Sequence, residues 1–187
     1  YVQRSAFDKV VSGIVDHARK LKLGAGLNEG TELGPLISKV QRDRVAAYVE
    51  AGRKDGADIA TGGNAPGEAG YFFEPTVLLG TTPSMSVQTE EIFGPVLCAM
   101  PFDDLADIEP VADHAQYGLA ASIWTRDLST AHRLGRRVAA GAVWINCFGV
   151  FDPNLPFGGY KESGWGREMG QEGVEAFTEV KSVTVRL

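Results

Sequence analysis

Apolar positions over the first twenty residues recur with the period of a helix. Phe7, Val10, Val11, Ile14, Ala18 and Leu21 follow at steps of three and four, with Asp8, Lys9, Asp16 and Arg19 between them. This predicts one amphipathic helix over 5–22. Residues 23–35 carry four glycines and end in Gly-Pro, which reads as a long surface loop. A second helix is predicted over 38–56, with Val40, Val45, Tyr48 and Val49 inward, Lys39, Arg42, Asp43, Arg44 and Glu50 outward, and Gly56 as its C-terminal cap.

Beyond Gly56 the period shortens to that of strands. Residues 57–61 read as a short strand, and 71–79 as an extended segment broken by Pro75, which predicts an edge or a bulge. Residues 96–102 read as a buried strand, Asp103 as the cap of a helix running to about His114, and 118–125 as another strand. A helix over 128–140, ended by Gly141, then leads to the strand AlaValTrpIleAsn. Strand and helix thus alternate, which predicts an α/β fold with a mainly parallel sheet covered by helices. After Cys147 the chain turns irregular, rich in glycine, proline and aromatics, as loops that serve a site are. A short helix over 171–177 and a terminal strand complete the reading. In that strand Val183, Val185 and Leu187 alternate with Ser182, Thr184 and Arg186, giving one apolar face that needs a partner sheet.

Composition narrows the possibilities. The 187 residues are 44% hydrophobic and 22% charged, enough to bury a core. The net charge of −6, with no Lys/Arg run denser than Arg133, Arg136 and Arg137, excludes a phosphate-backbone footprint, so nucleic acid is not an expected partner. No apolar run approaches the roughly 20 residues of a membrane helix, and the two cysteines, Cys98 and Cys147, sit in apolar stretches as buried thiols. The expected compartment is a reducing cytoplasm. The chain opens at Tyr1 with a helix already under way, which predicts that further chain precedes it.

Candidate chemistry is sparse. His17, His114 and His132 have no second ligand at metal spacing, so no metal site is expected. No GxGxxG, GxxxxGK[ST] or GxSxG occurs. The segment ThrGluGluIlePheGlyProVal, residues 89–96, sets two carboxylates and an aromatic in a rigid turn. A carboxylate so held can accept both hydrogens of a ribose diol, with an aromatic beside it to support a flat ring; the alternative is two solvated charges and a core phenylalanine. Residues 148–161 bring Phe148, Phe151 and Phe157 onto one loop, either as the wall of an apolar channel or as loop packing.

Five ordered motifs resemble one family, the NAD(P)-dependent aldehyde dehydrogenases: GluGluIlePheGlyProVal; TyrGlyLeuAlaAla with IleTrpThr; ArgValAlaAlaGlyAlaValTrpIleAsn; ProPheGlyGlyTyrLysGluSerGlyTrpGlyArgGlu; and PheThrGluValLysSerValThrVal. The resemblance implies the C-terminal portion of such an enzyme. Residues 1–178 would belong to the catalytic domain, without its start, and 179–187 would form an oligomerisation strand. It implies oxidation of an aldehyde to a carboxylic acid by way of a cysteine thiohemiacetal, with NAD or NADP as hydride acceptor in the complete enzyme. By motif position Glu91 would bind the nicotinamide ribose and Phe93 would lie beside the nicotinamide. Phe151 and Phe157 would line the substrate tunnel, and Arg167 and Glu179 would form an ion pair supporting a subunit interface.

No catalytic role carries over, because the nucleophilic cysteine, the general base and the dinucleotide fold would precede Tyr1; Cys147 is not the nucleophile. The chain alone is therefore expected to be inactive and to self-associate. The expected partners are a small-molecule aldehyde, with a lean toward aromatic ones such as phenylacetaldehyde, and further copies in a homo-oligomer. Two alternatives stay open: a catalytically dead truncated homologue acting as an assembly or binding module, and an acylating relative that makes acyl-coenzyme A.

Overall fold

The computed structural model describes residues 1–67, 69–112 and 116–187, and the chain divides into two compact units, Tyr1–Ile108 and Glu109–Leu187. In the first unit strand β1 (Val2–Gln3) leads into α1 (Arg4–Lys20), and α2 (Lys39–Lys54) follows the glycine-rich loop. Ser38 caps α2 by accepting from the Gln41 N–H at 3.2 Å, and Gly56, at φ +104°, turns the chain out of it. Then come β2 (Asp58–Thr61), β3 (Thr76–Leu79), the single turn α3 (Ser86–Thr89), β4 (Val96–Ala99) and β5 (Pro101–Phe102), and α4 (Leu105–Ala112) runs across the division between the units.

The sheet order is β2-β3-β4, with β2 antiparallel and β4 parallel to β3, while β1 and β5 pair in parallel. Alternation along β3 sends successive side chains to opposite faces. Val77 packs with Val11, Val15 and Ala99 under α1, whereas Leu78 packs with Val45, Val49, Phe73, Val87 and Ile92 under α2. The sheet is thus covered on both faces, and Val45 and Leu78, both 0% exposed, lie at the heart of the larger core. Full burial of each such side chain contributes about 1.5–3 kcal/mol.

The second unit holds β6 (Tyr117–Gly118), β7 (Ala120–Ile123), α5 (Leu128–Arg137), β8 (Ala142–Ile145), β9 (Tyr160–Lys161) and α6 (Gly170–Glu175). β7 and β8 pair in parallel across the α5 crossover, and β6 pairs antiparallel with β9. Asp127 caps α5 by accepting from the Thr130 N–H at 2.8 Å, and Ala131 and Leu134 form its buried stripe.

The predicted α/β architecture, its alternation of strand and helix and its covered sheet are found; several details differ. Val40 is 80% exposed, because it lies about 140° round the helix from Val45 and off the buried stripe. Pro75 does not mark an edge: it precedes β3, the central strand, where its missing N–H costs no ladder bond, and the irregularity falls on β2 between Ile59 and Thr61. Asp103 does not cap α4. Its carboxylate takes both Nε and Nη2 of Arg4, at 2.6 and 2.8 Å, and Asp104 accepts from the Ala106 N–H instead. The predicted helix end at His114 lies outside the described residues. The single strand expected over 118–125 is two short ones that pair with different partners, and α5 ends at Arg137, with Val138 capping it ahead of Gly141. The terminal strand expected over 182–187 is not formed: segment 178–187 carries no strand, and Val180, Val183, Val185 and Leu187 are exposed.

Candidate functional site

The turn Glu90–Pro95 is built on one face of α2. Gln41, Arg44 and Tyr48, spaced by three and four, meet it one after another. The Gln41 side-chain amide donates to the carbonyls of Ile92 and Phe93 at 3.0 and 2.9 Å. Arg44 donates to the Glu91 carbonyl at 3.0 Å, and the Tyr48 hydroxyl donates to the Glu90 carboxylate at 2.6 Å. From below, Ile92 is buried in the α2 core, and Gly94 lies so close to Val45 that a Cβ there would sit 2.5 Å from a Val45 methyl. Beyond the turn, the Thr76 N–H donates to the Pro95 carbonyl at 2.8 Å.

This mounting explains two features of the turn. Phe93 has φ +56°, a left-handed conformation that a bulky side chain takes at a cost of about 1–3 kcal/mol. The bonds from Gln41 and the burial of Ile92 hold it there. The ring is then turned outward, 73% exposed, at the rim of a cleft of ≈ 330 Å³ lined by residues 33–36, Phe73, Gly94 and Pro95. Glu91 is likewise exposed, and among the described residues its carboxylate takes no hydrogen bond, so it presents acceptors only. Glu90, the other carboxylate of the motif, is used internally by Tyr48. The structure therefore separates two neighbours that the sequence offered as equals.

A larger apolar groove of ≈ 520 Å³ lies between α1 and the sheet, with Thr76 and His17 as its only polar side chains. It offers little to orient a ligand.

In the second unit the loop after β8 brings Phe151 and Phe157 together, ring centroids 5.1 Å apart and planes at 84°. Their loop is pinned at several points. Asn146, at φ +54°, exchanges two 2.9 Å hydrogen bonds with the Thr125 backbone; Ser122 donates to the Cys147 carbonyl at 2.7 Å. Asp152 accepts from the Asn154 N–H in an Asx turn, and Phe157 exchanges two 2.7 Å backbone bonds with Glu168. Gly141 has no room for a side chain, since a Cβ would lie 1.6 Å from the Gly158 carbonyl oxygen.

Arg167 and Glu179 are not brought into an ion pair. The Arg167 guanidinium donates to the carbonyls of Gly159 and Gly166 and lies 5.3 Å from the Tyr160 ring centroid, while Glu179 is exposed on the terminal segment. Both cysteines are free and half-buried; burial pushes the Cys98 thiol up to about 11. His17 and His132 are exposed, and among the described residues no cluster of three or more His, Cys, Asp or Glu could hold a metal. Nor is any described helix long and apolar enough to cross a membrane.

The sequence reading missed the Gln41, Arg44 and Tyr48 face. Its signal was the spacing of three polar-tipped residues on a helix preceding the motif, but hydropathy alone put Tyr48 inward and Arg44 outward. Trp144 was also missed: its indole bonds to the same loop as the phenylalanines, a contact that strand patterning does not reveal.

The chain belongs to the aldehyde dehydrogenase family, whose model matches residues 1–183. Among individual relatives, DhaS of Bacillus subtilis (strain 168) is 46% identical over all 187 residues, which cover 38% of its length. A structure of an aldehyde dehydrogenase from Bacillus cereus in complex with NAD+ superposes with a TM-score of 0.96 at 45% identity, over 100% of this chain and 38% of that one. The betaine aldehyde dehydrogenase of Staphylococcus aureus in complex with NAD+ superposes with a TM-score of 0.89 at 39% identity, over 94% of this chain and 36% of that one. The chain thus spans less than two-fifths of the length of these relatives.

Proposed function

We propose that this chain is the C-terminal catalytic-domain portion of an aldehyde dehydrogenase that oxidises an aldehyde to a carboxylic acid with NAD(P)+ in the cytoplasm. The observation that carries the reading is the braced turn: a carboxylate at Glu91 that takes no hydrogen bond among the described residues and an outward ring at Phe93, the backbone of both held by α2. These residues fit the nicotinamide half of the cofactor. Glu91 accepts the two ribose hydroxyl hydrogens, and Phe93 supports the flat ring beside the cleft. The cofactor, when bound, supplies the hydride acceptor. Phe151 and Phe157 form part of the wall against the aldehyde, and two edge-on aromatic rings favour a flat apolar substrate such as phenylacetaldehyde.

Catalysis also needs a nucleophile, a base and a dinucleotide fold, held to about 0.5 Å of productive geometry. By family pattern these lie outside the 187 residues, and burial, which pushes the Cys98 thiol up to about 11, makes it a poor thiolate nucleophile. The chain alone is inactive. Its terminal segment 179–187 becomes a strand, and Arg167 meets Glu179, on assembly with another copy into a homo-oligomer.

The test is aldehyde-dependent NADH formation at 340 nm by the purified chain, with phenylacetaldehyde as substrate and a Cys147→Ser variant alongside. The expected result is no turnover by either. Turnover abolished in the variant would make Cys147 the nucleophile and overturn the assignment of catalysis to residues beyond this chain.

A further inference from the structure

Trp144 stands at the root of the aromatic loop and touches it in three ways. It is the third residue of β8, in register with Ser122 of β7. Its indole Nε1–H donates to the Val150 carbonyl at 2.8 Å. Its ring meets Phe148 edge-on, centroids 5.3 Å apart at 65°, and Phe151 likewise, 5.6 Å apart at 86°. Phe151 then meets Phe157, so a run of three rings, Trp144, Phe151 and Phe157, leads from the strand to the far side of the loop, with Phe148 as a branch from Trp144. Each contact has the edge-to-face form that aromatic quadrupoles prefer.

Between its two ends the loop is tied at Pro153, whose carbonyl accepts from the Gly170 N–H at 2.9 Å, and by the turn at Asp152, but the stretch 148–151 ahead of these has little besides the indole. Phe148 is 74% exposed and Val150 63%, so burial does not hold this stretch. Its start is tied by Asn146 and Ser122 and its end by the Phe157–Glu168 bridge. The carbonyl of Val150 and the edge of Phe151 lie midway, and the indole takes both. An indole does this with one rigid group: the N–H sets the height of the backbone, and the ring sets the tilt of the phenylalanine.

We propose that Trp144 is a positioning residue, whose indole fixes the Phe151–Phe157 pair at the tilt that accepts a flat aromatic carbonyl compound. The proposal rests on the reading of Phe151 and Phe157 as a substrate wall. Trp144 itself touches no substrate; it acts through Val150 and Phe151. Because the Val150 carbonyl is near solvent, water replaces the lost donor when Trp144 is substituted, so fold stability changes little while the wall loses its order.

The test uses the 187-residue chain, NMR of its Phe and Trp rings, and two unreactive probes: phenylacetamide, an aromatic carbonyl, and isobutyramide, an aliphatic one. In the wild-type chain the Trp144 indole N–H is expected to exchange with solvent about tenfold more slowly than that of Trp165, which is 99% exposed. Exchange as fast as Trp165's overturns the proposal without any variant being made. In Trp144→Phe, which keeps a ring but lacks the donor, the Phe151–Phe157 contact is expected to average out. Phenylacetamide should then bind roughly fivefold more weakly through lost preorganisation, with isobutyramide binding and Tm little changed. An unchanged ring contact and phenylacetamide affinity within twofold of wild type overturn the positioning role. The wall reading fails separately, if phenylacetamide shifts neither Phe151 nor Phe157 in the wild-type chain although the Trp144 N–H is protected and the variant loses the ring contact.

Discussion

Replacing Gly94 with alanine asks whether the Glu91–Phe93 turn is rigid because it rests directly on the core. Gly94 lies in the turn, and a Cβ built there would come 2.5 and 2.9 Å from the two methyls of Val45. Val45 is 0% exposed and packed among Val49, Phe73 and Leu78, so it has nowhere to withdraw. Overpacking of this kind costs about 1–3 kcal/mol, and two contacts under 3.0 Å against a side chain walled in on every side place Gly94→Ala at about 2–3 kcal/mol. For a chain of this size that lowers Tm by roughly 4–12 °C.

Urea and thermal melts followed by far-UV circular dichroism would measure the effect, with Gly26→Ala as control. A Cβ on Gly26 meets nothing within 4 Å, so that change is expected within about 0.5 kcal/mol of wild type. The decisive arm is the double variant with Val45→Ala. Alone, Val45→Ala loses two buried methyls and leaves a cavity, at about 2–3 kcal/mol. It also makes room for the new Cβ, so Gly94→Ala in that background should cost at least about 1 kcal/mol less than in the wild type. Strict additivity, or a Gly94→Ala melt indistinguishable from wild type, would refute the claim that turn and core are one packed body.

Further outcomes follow from the same structure. Ser38→Ala removes the cap on α2 and should destabilise by about 1 kcal/mol in urea melts, with loss of hydrogen-exchange protection at Gln41; an unchanged midpoint would contradict the capping role. The Arg4 guanidinium holds the Asp103 carboxyl below the usual carboxylate range, so Asp103 favours the folded state above its unfolded pKa and loses that contribution as pH falls through its lower folded value. Carboxyl NMR titration should show this lowered pKa rising to the ordinary range in Arg4→Gln, and no movement would remove Arg4 as its cause. The Cys98 thiol, pushed up to about 11 by burial, should react with a disulfide reagent at pH 8 far more slowly than free cysteine until urea unfolds the chain; labelling at the free-thiol rate would contradict its burial.

What the sequence made legible was whatever depends on local period and punctuation. The α1 stripe of Phe7, Val11 and Ile14, the cap at Ser38 and the stop at Gly56 are encoded within a turn or two of where they act, and the structure holds them. The fold class followed from the alternation of such elements. What depends on distant partners was not legible. Asp103 has the chemistry of a cap and the position of one, yet Arg4, ninety-nine residues away, takes its carboxylate. Pro75 looked like an edge because a proline weakens a ladder, but the ladder begins one residue later.

The site divided in the same way. The residue types at Glu91 and Phe93 were readable as a motif, whereas which of two adjacent glutamates is used internally depended on Tyr48 reaching Glu90 from another element. Phe151 and Phe157 were readable as loop aromatics; that Trp144 holds their loop depended on the path the chain takes after β8. The strand pattern at 182–187 expresses a preference that no ladder among the described residues meets, because a strand is a property of a pair.

Grafting decides whether residues 1–187 supply the nicotinamide-side turn of an aldehyde dehydrogenase. Replacing the matching 38% of the Bacillus cereus aldehyde dehydrogenase with this chain gives a complete enzyme in which Glu91 can be changed alone. The graft is expected to form NADH in an aldehyde-dependent way. Glu91→Gln in it should lower kcat/KM about tenfold or more, the consequence of weakening hydrogen bonds to a charged acceptor, with Tm unchanged. A folded graft without activity, or an active one indifferent to Glu91→Gln, would contradict that role.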